Sequence, residues 1–303
     1  MPLYLIKIAI FLFTLICVLA MVYKLWHKPK ESLSWSMKIK LFFSGIIAFI
    51  ADTLGIGSFA VNVTMAKLTG TFQDDELPAV NNGAQVIPGA IESLFFMQLI
   101  SVDITTLTTL VLGTCIGGVL GGTIVSKLSK QSIRLAMVCC FLLLIALLVS
   151  HQLRLLPTGG EQDALHSWKL LAGFFGTIVC GALTSVGIGL FVMIQGLLFI
   201  LNVSPVVAFP IMTAAGALQQ PLTTLVFLKH DKIPLKKTLI LSLSGCIGVL
   251  LTMMIFTKLT VTWLHTLLLC ILIYNFIAVG RVYLRVRSEG TKHHSHLNTS
   301  PNY

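Results

Sequence analysis

Along the chain, apolar residues gather in runs over about 3–26, 41–67, 78–100, 104–126, 133–150, 168–202, 204–228, 238–257 and 262–280. A helix needs roughly 20 apolar residues to cross a bilayer, and most of these runs have that length, with aromatic or basic residues at their ends. Two runs are too long for one crossing and are interrupted. Residues 41–67 are broken by Asp52-Thr-Leu-Gly55-Ile-Gly57-Ser58, and residues 168–202 by Ser185-Val-Gly187-Ile-Gly189. Each break has apolar sequence on both sides, which predicts a helical hairpin with a glycine turn.

Composition agrees with a bilayer setting. Of 303 residues, 56% are hydrophobic and only 11% charged, with a mean hydropathy of +0.93. So few charges cannot cover a soluble surface, which excludes a soluble enzyme, a disordered chain and a disulfide scaffold. The net charge of +10 comes from basic residues that lie between apolar runs or in the C-terminal tail. They read as orientation determinants at a membrane face, with membrane lipid as partner and no nucleic acid. Residues 3–26 lack an AxA-type cleavage site, and Lys24 near their end is followed by Lys28, Lys30, Lys38 and Lys40. This predicts an uncleaved helix with its N-terminus outside and its far end in the cytoplasm.

The two breaks belong to a repeat. Gly55-Ile-Gly57-Ser-Phe59 pairs with Gly187-Ile-Gly189-Leu-Phe191 at an offset of 132, and Pro78 with Pro210 at the same offset. Cys115-Ile-Gly117 pairs with Cys246-Ile-Gly248, and Lys127-Leu128 with Lys258-Leu259, at 131. Four matches in register with one slip indicate duplication.

Charge then sets topology. Basic clusters lie at 28–40, at Lys127, Lys130 and Arg134, at Lys229, Lys232, Lys236 and Lys237, and at Arg281, Arg285, Arg287 and Lys292. All four fall on the cytoplasmic side only if 41–67 and 168–202 are hairpins that enter and leave by one face. Each half then holds one hairpin and three crossings, and the odd number of crossings inverts the second copy. The predicted fold is an all-α polytopic membrane protein: an inverted repeat of a broken-helix hairpin plus three transmembrane helices, with an extra N-terminal transmembrane helix. Residues 1–40 form that helix and a basic loop, 41–150 the first repeat, 151–167 a connecting loop, 168–280 the second repeat, and 281–303 a basic tail containing histidines. The C-terminus is expected in the cytoplasm. Two hairpins that meet from opposite faces near the bilayer middle are the arrangement in which secondary transporters build a midplane site.

Backbone groups freed by a helix break must be buried in protein or line a wet cavity. Gly55, Gly57, Gly187 and Gly189 suit such turns, and the helix ends leaving them, at Ser58 and Leu190, offer N–H groups and the positive dipole end to an anion. The same glycines can instead serve close helix packing. Asp52, just before the first turn, costs about 2.5–3.5 kcal/mol at membrane depth, so it needs a role: a cap for the next helix, or a carrier of a coupling proton. Glu92 follows Gln85 by two helical turns on the same face and is open to the same two readings, proton transfer or a hydrogen bond between helices. Asn62, Asn81, Asn82, Gln85, Gln195, Gln219 and Gln220 can donate to an anion's oxygens or join helices.

Other chemistry finds no footing. HExxH, GxSxG and GxxxxGK[ST] are absent from the sequence, so an enzyme or a nucleotide-driven pump is not expected. Cys17, Cys115, Cys139, Cys140, Cys180, Cys246 and Cys270 all lie in apolar runs with no metal-ligand spacing, and read as packing residues. The tail histidines 293, 294 and 296 read as solvated. No metal and no cofactor are predicted.

The glycine turns, the Val102-Asp103 start of the next crossing and the Gly113-x3-Gly117-Gly118-x2-Gly121 helix resemble the sulfite exporter TauE/SafE family, the sulfonate uptake permeases, over about residues 41–280. Asp52-Thr-Leu-Gly55-Ile-Gly57-Ser58-Phe59-Ala60 is similar to one subgroup. The resemblance implies a bacterial-type cytoplasmic-membrane transporter of sulfite, sulfonates or other small organosulfur anions. Many members carry three glycines in the turn and a proline soon after; here Ser58 and Leu190 take the third glycine's place and the proline is missing. The expectation is a secondary transporter with alternating access to a midplane anion site. A passive anion channel and a non-transporting membrane scaffold are the alternatives, and a homo-oligomer stays open.

Overall fold

In a computed structural model of the chain, residues 2–27, 32–153, 155, 157, 160–254 and scattered positions between 273 and 284 are described. The elements are α1 (Pro2–His27), α2 (Trp35–Thr53), α3 (Ser58–Thr69), α4 (Leu77–Leu99), α5 (Ile104–Val125), α6 (Lys130–Gln152), α7 (Ser167–Thr184), α8 (Leu190–Ile200), α9 (Pro205–Lys229) and α10 (Leu235–Met253). Both predicted hairpins form, as α2–α3 and α7–α8. The expected segment 262–280 and Cys270 fall largely or wholly outside the described residues.

Local chemistry sets the boundaries. Ser34 accepts the Met37 N–H at 3.2 Å to start α2, and Asp103 accepts from the Thr106 N–H and hydroxyl, both at 2.7 Å, to start α5. Pro205 opens α9 at a position where no N–H is missed. Gly70, at φ 66°, ends α3 in a left-handed cap.

Among the described residues, six helices are long and apolar enough to cross a membrane: α1, α5, α6, α7, α9 and α10. The span of α9 is 83% buried against 17% for α1, which puts α9 at the centre and α1 at the lipid-facing rim. α4 is long enough but less apolar, because it contains Asn81, Asn82, Gln85 and Glu92. It tolerates them because it lies against α9, α10 and α1, and all four side chains are buried.

The tightest helix pairs join the two halves: α2 with α10, and α5 with α7. Glycine permits both. A Cβ on Gly117 would strike the Ile178 carbonyl oxygen, and one on Gly248 the Ile46 carbonyl oxygen. Those partners stand at the same offsets in the two halves. At the next contact the small residue changes sides: Gly113 receives Thr177, while Gly45 receives Ser244.

The segment 69–76, after the first hairpin, gathers the basic groups. Lys40 donates to the Thr69 carbonyl at 3.2 Å and Lys237 to the Thr71 carbonyl at 3.1 Å. Lys130 pairs with Asp75 at 2.9 Å and also reaches Gln73, and Arg134 pairs with Asp74 at 2.7 Å. Lys24, at the end of α1, pairs with Asp231 at 2.9 Å beyond α9. So α2 begins and α3 ends on one basic face. At the other end of α5, the Leu165 N–H donates to Thr106 Oγ1 at 2.9 Å, and segment 160–162 is stitched to 202–204. The α7–α8 hairpin therefore enters and leaves by the opposite face.

Asp74 anchors the basic face. Burial alone raises its carboxyl, but hydrogen bonds and charge from Lys67 and Arg134 outweigh that and hold it below the ordinary carboxylate range. A group depressed by folding adds stability above its unfolded pKa of about 4, and that stability is lost as pH falls through the folded value. Asp74→Asn should lower stability in detergent by about 1–3 kcal/mol, under the ~3–5 of a fully buried pair because Lys67 is 18% exposed. The variant should also flatten the acid limb of a melting-temperature profile against pH. Topology gives a second prediction: single cysteines at Lys40, Lys127 and Lys232 should all react with an impermeant maleimide from one side of the membrane, and a cysteine at Glu161 from the other.

Candidate functional site

α2 ends because Leu54, Gly55 and Ile56 fold back onto it, their N–H groups donating to the carbonyls of Ile50, Asp52 and Ala51. Gly55 at φ 87° and Gly57 at φ 91° then turn the chain through a region that side chains avoid. The second turn closes in the same way through Ser185, Val186 and Gly187, with Gly187 at φ 99°. Gly189 differs: its φ of −57° is open to any residue. A Cβ on Gly57 or Gly189 would meet nothing within 4 Å, so both border open space.

Each tip rests on the long helix of the other half. A Cβ on Gly55 would lie 3.6 Å from Phe209 Cζ in α9, and one on Gly187 would lie 3.1 Å from Pro78 Cα in α4. Asn81 joins the two tips: its amide nitrogen donates to the Gly187 carbonyl at 3.1 Å and lies 3.5 Å from the Phe59 carbonyl. Asn82 donates to the Pro78 carbonyl at 2.9 Å and the Thr184 carbonyl at 3.3 Å. The carbonyls freed by the second break thus find partners on α4.

A second network surrounds Asp52. Its Oδ1 accepts the Ser58 N–H at 2.6 Å, and its Oδ2 accepts from the Gln85 amide. The Ser58 hydroxyl donates to Gln85 Oε1 at 2.6 Å, so Gln85 is held at both ends. Glu92 lies against Asp52, and its Oε2 has no partner. Across from these, Gln219 donates to Thr223 Oγ1 at 2.6 Å and to Asn82 Oδ1 at 3.4 Å. Gln85 and Gln220 approach over Gly89, where a Cβ would sit 3.4 Å from Gln85 Nε2 and 3.3 Å from Gln220 Oε1.

The chain therefore brings together Asp52, Ser58, Gln85 and Glu92 in one network, and Asn81, Asn82, Gly187 and Gln219 in another. Asn62 is buried on α3, and neither of its side-chain polar atoms finds a partner. Gln195 is half-buried on α8 and joins neither network. Buried polar atoms without partners are uncommon and mark places where a proton, water or ligand is accommodated. Sequence reasoning passed over Thr184, Thr223, Thr224 and Phe209. Two of them stood at matching positions: Thr184 lies 132 residues after Asp52, and Thr224 132 after Glu92. Among the described residues, no three His, Cys, Asp or Glu side chains cluster to hold a metal ion.

On the face opposite the basic one, a cavity of about 500 Å³ opens between Ile100, Val102, Asp103, Asp163, Val206 and Val207. Phe209 follows these valines on α9, pairs with Phe96 at 5.6 Å between ring centroids, and lies over Gly55.

No curated protein and no solved structure matches the chain. Residues 1–149 match the sequence model of the family described as Sulfite exporter TauE/SafE. That stretch contains α1 to α5 and nearly all of α6, with the first hairpin, Asp52, Gln85 and Glu92 inside it. Over residues 1–149 the chain belongs to the sulfite exporter TauE/SafE family of membrane transporters.

Proposed function

We propose that this protein is a secondary transporter that carries a small sulfur-containing oxyanion, of the sulfite or sulfonate type, by exposing a midplane site alternately to the two sides of the membrane. The observation that carries this reading is the meeting of two broken-helix tips, each seated on the other half's long helix, beside a buried polar network. Breaks of this kind cost backbone hydrogen bonds in lipid and persist where they line a pathway.

The second half, beyond the family match, is read as an inverted copy of the first. Its succession of elements, the opposite faces by which the hairpins enter, and the exchanged glycine contacts of α5–α7 and α2–α10 support that reading. The basic face is cytoplasmic by the positive-inside rule, which puts the N-terminus outside. The 500 Å³ cavity is then an outer vestibule, and the Phe96–Phe209 pair the barrier between it and the first tip.

Gly55, Gly57, Ser58, Gly187 and Gly189 shape the anion site. Asn62, Asn81, Asn82, Gln85, Gln195, Gln219 and Gln220 orient the substrate. Asp52 and Glu92 carry the coupling proton. The donors around this pair serve one negative charge, since both the Ser58 N–H and the Gln85 amide go to Asp52.

Gly189→Leu tests the site most cleanly, because its backbone is unstrained and the space beside it is open. In proteoliposomes, Gly189→Leu should cut sulfite uptake at least about tenfold, the ~1.4 kcal/mol loss of one mispositioned contact, while leaving insertion and melting temperature near wild type; Gly57→Leu should cut uptake at least as much and also lower the melting temperature, because Gly57 sits at φ 91°. Normal uptake by Gly189→Leu would remove the second tip from the pathway. Glu92→Gln should make flux insensitive to an imposed pH gradient, and an unchanged response would remove Glu92 from the coupling.

A further inference from the structure

The two helix ends that leave the turns differ in a way that bears on coupling. At the first, the leading N–H of α3 is already taken: Ser58 donates to Asp52 Oδ1 at 2.6 Å, and the Gln85 amide holds Oδ2. At the second, α8 starts without a side-chain cap, and the position matching Asp52 is Thr184, whose hydroxyl donates to its own helix at the Cys180 carbonyl. One tip therefore contains a negative group of the protein's own and the other does not. The seat at the first tip demonstrably fits an anion, since a carboxylate sits in it. Open space beside Gly57 leaves room for a guest next to that carboxylate. Glu92, 1% exposed, lies against Asp52 with Oε2 unpartnered, and Gln220, 3% exposed, has Oε1 unpartnered beside Gln85.

We propose that Asp52 is a tethered stand-in for the substrate: it fills the donors of the first tip in the empty transporter, and a substrate anion takes those donors over only when the Asp52 carboxylate accepts a proton and leaves them. This rests on the transporter reading above and specifies how its site couples. Two unit charges about 4 Å apart repel by roughly 4 kcal/mol at an effective dielectric of 20. An anion arriving beside an ionised Asp52 is repelled by that interaction, and an anion arriving with a proton is not. The proton comes from water on the side to which the site is open and adds to the Asp52 carboxylate. The resulting O–H donates to Glu92, whose free oxygen lacks a donor, and Ser58 N–H and Gln85 turn to the guest. No covalent bond other than O–H forms, and each anion enters with one proton.

The charged surroundings leave Glu92 as the group that answers Asp52. α3 contributes Lys67 in its last turn, paired with Asp74, and α10 contributes Lys236 and Lys237 in its first turn and Cys246 in its middle. Among the described residues, the polar groups acting on Asp52 are Ser58, Gln85 and Glu92.

The test measures proton uptake when methanesulfonate binds purified wild-type protein in weakly buffered detergent solution. Methanesulfonate keeps its charge throughout the carboxylate range, so any uptake belongs to the protein. The expected result is close to one proton taken up per anion bound, with affinity falling about tenfold per pH unit on the alkaline side. Asp52→Asn should bind without proton uptake, with affinity flat in pH and tighter than wild type at neutral pH. Binding by the wild type with no proton uptake overturns the inference and leaves the transporter reading in place. Asp52→Asn that folds but binds no tighter, with the wild-type pH slope, makes Asp52 a structural cap and also overturns it. No binding of methanesulfonate at any pH refutes the sulfur-oxyanion reading together with the inference.

Discussion

A polypeptide that stops being helical inside hydrocarbon must find partners for every N–H and C=O it releases, because no water is there to take them. That requirement organises this molecule. The first break is closed by Asp52, which reaches forward six residues to the Ser58 N–H. The second is closed by Asn81 and Asn82, which reach from α4 to the Gly187 and Thr184 carbonyls. Neither hairpin is self-sufficient. α4 must stand between them, and a helix that supplies amides and a carboxylate to its neighbours cannot face lipid. Its place against α9, α10 and α1 follows, and so does the lipid-facing position of the more apolar helices.

The same requirement connects packing to function. Close approach of α5 to α7 and of α2 to α10 depends on glycines at the crossing points, and it fixes the scaffold against which the tips lie. The tips touch the other half through smaller contacts, Gly55 on Phe209 and Gly187 on Pro78. Firm scaffold contacts with light tip contacts suit a protein whose site opens to one side and then the other. The polar atoms that closure leaves without partners, in Asn62, Glu92 and Gln220, gather on the elements that form the tips and the helices beside them.

Much of this was legible in the sequence. The glycine pairs with apolar flanks announced the hairpins, and the basic clusters announced the face that α2 and α3 share, because both are local patterns with a single physical cause. Asp52 and Glu92 were recognisable as exceptional by charge alone, yet 40 residues of sequence hide that they touch. That contact depends on how α10, on which both α2 and α4 pack, sets the two helices relative to each other, which no local pattern encodes. The ion pairs of Asp74 were overlooked for the opposite reason: acidic residues between two spans read as ordinary loop until Lys67 and Arg134 close around them. Gly189 shows the limit of motif matching. It repeats Gly57 in sequence, but its backbone takes an ordinary conformation, so what it offers is space.

In the proposed mechanism the two tips form one site that is never open to both sides at once. Counterflow of labelled sulfite in proteoliposomes addresses this directly: vesicles loaded with excess unlabelled sulfite are diluted into a trace of labelled sulfite. A carrier with an alternately exposed site predicts a transient accumulation of label inside, above its equilibrium level, as internal sulfite leaves and returns the site. Label that rises only to equilibrium, with no overshoot at any loading, would rule out alternating access and make the protein a passive pore.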